Sequence, residues 1–162
     1  MRARADLRLG VPIVLAGSKI DVVVAAIDVL RQSRLDQLKS IDENSFILIT
    51  ARRAETLKCP VYDGNFARLE IEQAPKVSSL KAIADPSLDL KNPLKGPFNV
   101  IRKKPLNLEN NALLLLKSAQ LLPAAIISQV NSGEAFAKKY NLTYLQTKQI
   151  AETAISPTSI AD

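Results

Sequence analysis

Arg52 and Arg53 stand side by side at the start of the segment Ala51 to Lys58, just after the apolar run Phe46-Ile47-Leu48-Ile49. A guanidinium pair past the carboxyl end of a buried strand lies where α/β sheets place ligands, and its fork of N–H donors could grip a phosphate. The commoner setting for two such residues is an exposed helix face. A second basic group, Arg102, Lys103 and Lys104, falls in a stretch where Lys91, Lys95 and Lys117 add to it and Glu109 is the only acid. Such charge attracts phosphate or nucleic acid without specificity. Nucleic-acid recognition usually adds aromatic platforms or a recognition helix, and Phe98 is the only aromatic residue there. The stretch therefore reads as a solvated basic loop, with nucleic acid set aside. Lys117 follows Leu113 to Leu116 directly, and it reads as a side chain that lays its stem on apolar surface and keeps its amine at the edge, rather than as a catalytic lysine. Asp42-Glu43, the only adjacent carboxylates, read as a solvated turn.

The missing residue types exclude much chemistry. There is no His, one Cys and no Trp. Without His, Ser-His and Cys-His nucleophile pairs are ruled out. Zinc sites built from Cys and His are ruled out with them, while a carboxylate-bound metal stays open. Cys59, in Lys58-Cys59-Pro60, has no intramolecular disulfide partner and reads as a buried structural thiol suited to a reducing compartment. No signal-peptide core follows the N-terminus, and no run approaches the ~20 apolar residues of a membrane helix. These features predict a cytoplasmic, membrane-free protein. The 162 residues are 47% hydrophobic and 23% charged, with a net charge of +6, which suits one globular domain.

The elements that must position these groups follow from periodicity and punctuation. Arg4 to Leu9 reads as a short helix closed by Gly10. Pro12 to Leu15 and Ile20 to Val24 read as strands around the turn Ala16-Gly17-Ser18. Ala25 to Gln32 and Arg34 to Lys39 read as helical. Thr50 is placed to cap the Ala51–Lys58 helix, which Pro60 stops. Ala67 to Glu72 alternates apolar and charged residues, as in a half-buried strand with Arg68 outward. Val77 to Ala84 predicts a helix with Leu80 and Ile83 inward. The segment 86–106 is irregular and proline-rich. Asn107 is expected to cap a helix from Leu108 to Leu122, with Leu113 to Leu116 buried on all sides. Ala124 to Val130 predicts a buried strand. A helix between Ser132 and Asn141, a strand at Thr143 to Leu145 and a helix capped by Thr147 close the chain, with a loosely held tail at 155–162. The alternation argues a single α/β domain spanning 1–162.

Several of these segments together resemble a known family. Arg4-Ala5-Asp6-Leu7-Arg8 with Gly10-Val11-Pro12-Ile13-Val14-Leu15, Leu48-Ile49-Thr50-Ala51-Arg52-Arg53-Ala54, Leu116 to Ala125, and Phe136 to Ile150 are similar, in order and spacing, to the extra N-terminal domain of some bacterial GTP cyclohydrolase II chains. That domain is in turn similar to dihydroxybutanone phosphate synthase, a riboflavin-pathway enzyme that uses magnesium and ribulose phosphate. The resemblance implies an α/β fold with a mixed sheet covered by helices, and dimers. It also implies a dense acidic loop after the early strand and a His-Thr-Glu at the start of the long helix. Here the first place reads Ala16-Gly17-Ser18-Lys19-Ile20-Asp21, and the second holds Leu108, Glu109 and Asn110. Magnesium needs several oxygen ligands, more than Asp21 provides. The cyclohydrolase catalytic domain, with its three zinc-binding cysteines, would begin where this chain stops, and the expectation is a domain without it.

The resulting expectation is a non-catalytic accessory or remnant domain, without cofactor or metal, that forms homodimers or docks on a cyclohydrolase catalytic chain. The alternative is a phosphate-binding module using Arg52, Arg53 and the 91–104 loop with Arg102, Lys103 and Lys104. Cyclohydrolase or synthase activity is the disfavoured third reading.

Overall fold

Phe46, Ile47, Leu48 and Ile49 are buried alternately against helices on the two sides of one sheet, which is why this run has no polar face. A computed structural model of the chain describes residues 2–90 and 98–147. In order these form α1 (Arg2–Arg8), β1 (Ile13–Ala16), β2 (Asp21–Ala26), α2 (Gln32–Ile41), β3 (Phe46–Thr50), α3 (Ala51–Thr56) and β4 (Phe66–Glu70). There follow α4 (Val77–Ala84), a short 3-10 turn (Pro86–Leu88), α5 (Glu109–Ser118), β5 (Ala124–Val130), α6 (Gly133–Tyr140) and β6 (Tyr144–Gln146). The strands lie in the order β4-β3-β5-β2-β1-β6. Every pairing is antiparallel except β1 with β6. One face carries α1 and α5, through Leu7, Leu115 and Leu116. The other carries α2, α4 and α6, through Leu35, Leu38, Leu80, Ile83 and Ala137. The result is a three-layer α/β domain.

Local signals hold where the chemistry is local. The Thr50 hydroxyl accepts from Arg53 N at 3.1 Å, so it caps α3. Ser132 caps α6, and Asn141 closes it in the left-handed region at φ 55°. Gly10 takes φ 84° after α1, a conformation that favours glycine.

Four expectations fail for tertiary reasons. Ala25 and Ala26 complete β2 instead of starting a helix, because they pair with Ile126 and Ala125 of β5. The following residues turn, and α2 begins only at Gln32. Arg68 is not on a solvated face: it is 2% exposed, on the α5 side of the sheet. A strap at 98–101 runs along the outer edge of β4, with Ile101 N donating to Arg68 O at 2.8 Å and Glu70 N to Asn99 O at 2.9 Å. The strap and α5 together close over the arginine. Asn107 does not cap α5; it has φ 68°, and the helix runs only from Glu109 to Ser118. No side chain caps the helix at Leu108; the Glu109 carboxylate instead ties down the segment leading into it, accepting from Leu106 N at 2.8 Å and Leu108 N at 3.1 Å. Leu113, Leu115 and Leu116 are buried as expected, but Leu114 is 40% exposed, since α5 is an outer layer whose far side nothing covers among the described residues. The last expected helix and the 155–162 tail lie outside the described residues, apart from Thr147.

Candidate functional site

Two loci correspond to the places where the resemblance implies catalytic groups. The first is the turn joining β1 to β2. Gly17 and Gly133 are both in tight quarters there. A Cβ on Gly17 would sit 2.5 Å from Ile20 O, and one on Gly133 would sit 2.8 Å from the Asp21 side chain. The Asp21 carboxylate accepts from Gly17 N at 3.3 Å through one oxygen and from Gly133 N at 2.7 Å through the other. It thereby ties the turn to the start of α6. Nearby, burial first, and then Asp21 and Glu134, push the Tyr144 phenol above its usual pKa.

The second locus is the start of α5. Glu109 is buried with its two oxygens on the Leu106 and Leu108 amides, and it approaches Arg68 Nη1 at 3.9 Å. Arg68 donates through Nε to Asp63 at 3.1 Å, through Nη2 to the other Asp63 oxygen at 3.3 Å, and to the Lys103 carbonyl. Asp63, Arg68 and Glu109 are thus a buried acid-base-acid cluster that fastens the 98–106 strap between β4 and α5. Sequence reasoning missed it. Asp63-Gly64 signalled only a turn, and the alternation of β4 gave no sign of which face would be covered.

The basic candidates separate. Arg53 is buried, and its guanidinium donates to the Ile83 and Ala82 carbonyls and, bidentate, to Asp89 at 2.8 and 2.9 Å. It joins α3 to α4 and the following 3-10 turn, which leaves it no fork for a ligand. Arg52 is exposed and lines a cleft with Thr50, Asn65, Asn110 and Lys117. Arg102 donates to the Tyr62 hydroxyl at 2.7 Å and stacks on its ring. Lys103 and Lys104 are exposed on the strap. The structure therefore does not bring the five residues into one site. Cys59 is buried, and burial pushes its thiol above the usual pKa, which disfavours the thiolate that reactivity requires.

This architecture is that of the 3,4-dihydroxy-2-butanone 4-phosphate synthase fold. Solved structures of such synthases superpose over nearly the whole chain. One, described as RibBX, a two-domain 3,4-dihydroxy-2-butanone 4-phosphate synthase from A. baumannii, matches 96% of this chain at 14% identity with a TM-score of 0.71. The chain spans 57% of that protein. A synthase in cation-free form matches 98% of this chain and 97% of its own, at 12% identity and TM-score 0.73. Another, in complex with two magnesium ions, matches 99% and 98%, at 11% identity and TM-score 0.72. A scan against protein-family models gives no match, and a search of curated proteins gives none either.

The donor set among the described residues does not fit a pair of magnesium ions. Among the described residues no three His, Cys, Asp or Glu side chains come together as a metal site would require. At the β1–β2 turn and the start of α5, the carboxylates that are present, Asp21 and Glu109, already hold backbone amides. No helix among the described residues is long and apolar enough to cross a membrane.

Proposed function

We propose that this chain is a non-catalytic domain of the dihydroxybutanone phosphate synthase fold, of the kind found at the N-terminus of some GTP cyclohydrolase II chains, serving riboflavin biosynthesis as an accessory in the cytoplasm. The observation that carries this reading is the state of Asp21. The one carboxylate in the β1–β2 turn accepts from Gly17 N and Gly133 N, so it holds the turn and α6 together instead of facing a ligand. Its role is architectural, and Glu109 repeats the pattern at the start of α5. Neither locus supplies a general base or a divalent-cation cage.

An accessory domain acts by association. Leu9 and Tyr140 are exposed and border the surface depressions beside α2 that Val11 and Arg34 also line. We read this surface, where Leu9 and Tyr140 stand among Arg31, Arg34 and Gln37, as the means of self-association, or of docking on a cyclohydrolase catalytic chain.

Turnover of GTP and of ribulose 5-phosphate, with zinc or magnesium and protein free of host enzymes, tests the catalytic half of the reading. Neither substrate is expected to react above background, and turnover of either overturns the proposal. Co-purification from the native cells tests the accessory half, with a cyclohydrolase catalytic chain as the expected companion.

A further inference from the structure

We propose that the groove between α2 and the C-terminal end of α6 is the docking site for an acidic amphipathic helix of a partner protein, whose apolar face enters the groove and whose carboxylates meet Arg31 and Arg34. The proposal rests on the reading of this surface as a docking face and names its occupant. The groove is on the side of the sheet that carries α2, α4 and α6, whereas α5 is on the other side. Pro12, Val23 and Leu142 place it at the start of β1, and the pairing of Ile13 with Val24 and of Ala16 with Asp21 puts the β1–β2 turn at the far end of those strands.

Two depressions make up the groove, and they are continuous because Val11, Arg34 and Gln37 line both. The inner one has a volume of about 210 Å³. A cavity of about 150 Å³ holds a benzene ring, so this one has room for a large apolar side chain. Pro12 and Val23 are at its base, and Leu38, Phe136 and Leu142 give it apolar walls. The outer depression, of about 430 Å³, extends past Arg31 and Ser33 to Leu9 and Val29. Leu9 is 74% exposed and Tyr140 43%, so each end of the groove presents an uncovered apolar side chain. On α2, Leu38 and Ile41 continue the row that Arg31 and Arg34 begin, at spacings of three and four residues. That row is about 15 Å long, which matches a partner helix of about ten residues.

Charge selects the occupant. No carboxylate lines either depression. Arg31 and Arg34 have no ion-pair partner among the described residues, and Arg34 donates only to the Gln37 side chain, at 2.8 Å. Arg53 and Arg68, in contrast, are each met by a carboxylate. Asp6 and Asp36, on α1 and α2, are taken up by Thr143 and Arg2 and by Gln32. Arg34 is half-buried against apolar groups, and a carboxylate reaching it there is little screened by water. α2 has no acidic residue in its first turn and no side-chain cap at Arg31, so its end adds positive potential beside the two arginines. A second copy of this chain is a poor match. A two-fold contact through the groove would set Arg31 and Arg34 against their own copies, in a protein of net charge +6. An acidic helix with an apolar stripe complements both the charge and the apolar walls.

The test uses a fluorescent, acetylated and amidated peptide of about twelve residues, with leucines along one helical face and glutamates elsewhere. Anisotropy reads its affinity for the full chain, and amide NMR of the labelled chain reads its place. Binding is expected, with shifts at Val11, Gln37, Tyr140 and Leu142, and with affinity falling as salt rises. Replacing the glutamates by lysines, or the leucines by serines, should each weaken binding about tenfold or more. Arg31→Gln combined with Arg34→Gln should do the same, as should Leu9→Ser combined with Tyr140→Ser. Lys104→Gln, which removes a charge on the strap, should change nothing. Melting curves of these variants should match that of the parent chain, so a loss of binding reads the contact itself. Absence of binding at about 1 mM peptide, weaker than a useful docking contact, overturns the proposal. Unchanged binding by the double arginine variant does so too, and equal binding of the serine peptide reduces the groove to charge alone and overturns the amphipathic helix. Concentration-dependent shifts at the same residues in the chain alone would give the groove to a second copy. Binding to anionic phospholipid vesicles without binding to the peptide would give it to a membrane, and either result overturns the assignment. A cyclohydrolase chain that co-purifies equally with the double arginine variant would leave the accessory reading in place and remove this one.

Discussion

At the scale of single residues, buried polar groups here are placed to hold segments together. Arg68 is 2% exposed with Asp63 and Glu109 against it, and its guanidinium also lies over the Phe46 ring. Desolvating three charges offsets much of their mutual attraction, so the cluster contributes little net stability and instead selects one position for the strap. Arg68→Met is expected to cost about 3–5 kcal/mol, because it strands two buried carboxylates. Arg68→Met combined with Asp63→Asn and Glu109→Gln should recover most of that, since no uncompensated charge is left. Chemical denaturation of the two variants reads the difference, and a single-variant loss below about 1 kcal/mol would show that the carboxylates are solvated. Asp21 gives a second case. Asp21→Ala leaves the Gly17 and Gly133 amides without their acceptor and should cost about 1–3 kcal/mol, with the urea midpoint as readout.

At the scale of elements, α5 shows how a uniformly apolar run is used unevenly. Leu115 is fully buried between helix and sheet, while Leu114, one residue earlier, is 40% exposed. A step of one residue turns the side chain by about 100° around the helix, enough to move it from core to surface. Leu115→Ala is therefore expected to cost about 2–5 kcal/mol, and Leu114→Ala less than about 1 kcal/mol. Equal losses would mean that the outer face of α5 is covered in solution. The strap at 98–106 belongs to the same scale. It has one isolated bridge to β4, and Arg68 and Glu109 hold it beside the Arg102–Tyr62 contact and the packing of Val100 and Ile101, so Arg68→Met should raise amide exchange at Ile101 more than at Ile47 in the sheet centre.

At the scale of the whole molecule, the question is how the chain associates. We expect a homodimer held mainly by apolar surface. Desolvated apolar area is barely screened by salt, whereas contacts between this chain of net charge +6 and an acidic partner would be. Sedimentation across a concentration series at low and high salt separates the cases. A strict monomer at tens of micromolar, or a dimer that dissociates as salt rises, would each overturn the expectation. Thiol accessibility adds a check on integrity: the buried Cys59 thiol, its pKa raised by desolvation, should react with an alkylating reagent only after denaturation.

The sequence by itself determined what depends on neighbours along the chain and on which residue types are present. The alternation of strands and helices, the caps at Thr50, Ser132 and Asn141, and the exclusion of His- and Cys-based chemistry are of this kind. Each rests on a period or on a hydrogen bond spanning a few residues. Only the tertiary structure decided which side chains met partners far away in sequence. Arg53 and Arg52 are adjacent and chemically identical, yet one is clamped by Asp89 and the Ile83 carbonyl while the other faces a cleft shared with Lys117. The same holds for Arg68, whose alternation pattern was correct but whose outer face was covered by a strap more than thirty positions later. Periodicity states which side of an element a residue occupies; what lies against that side is set by packing between distant segments, and no local signal encodes it.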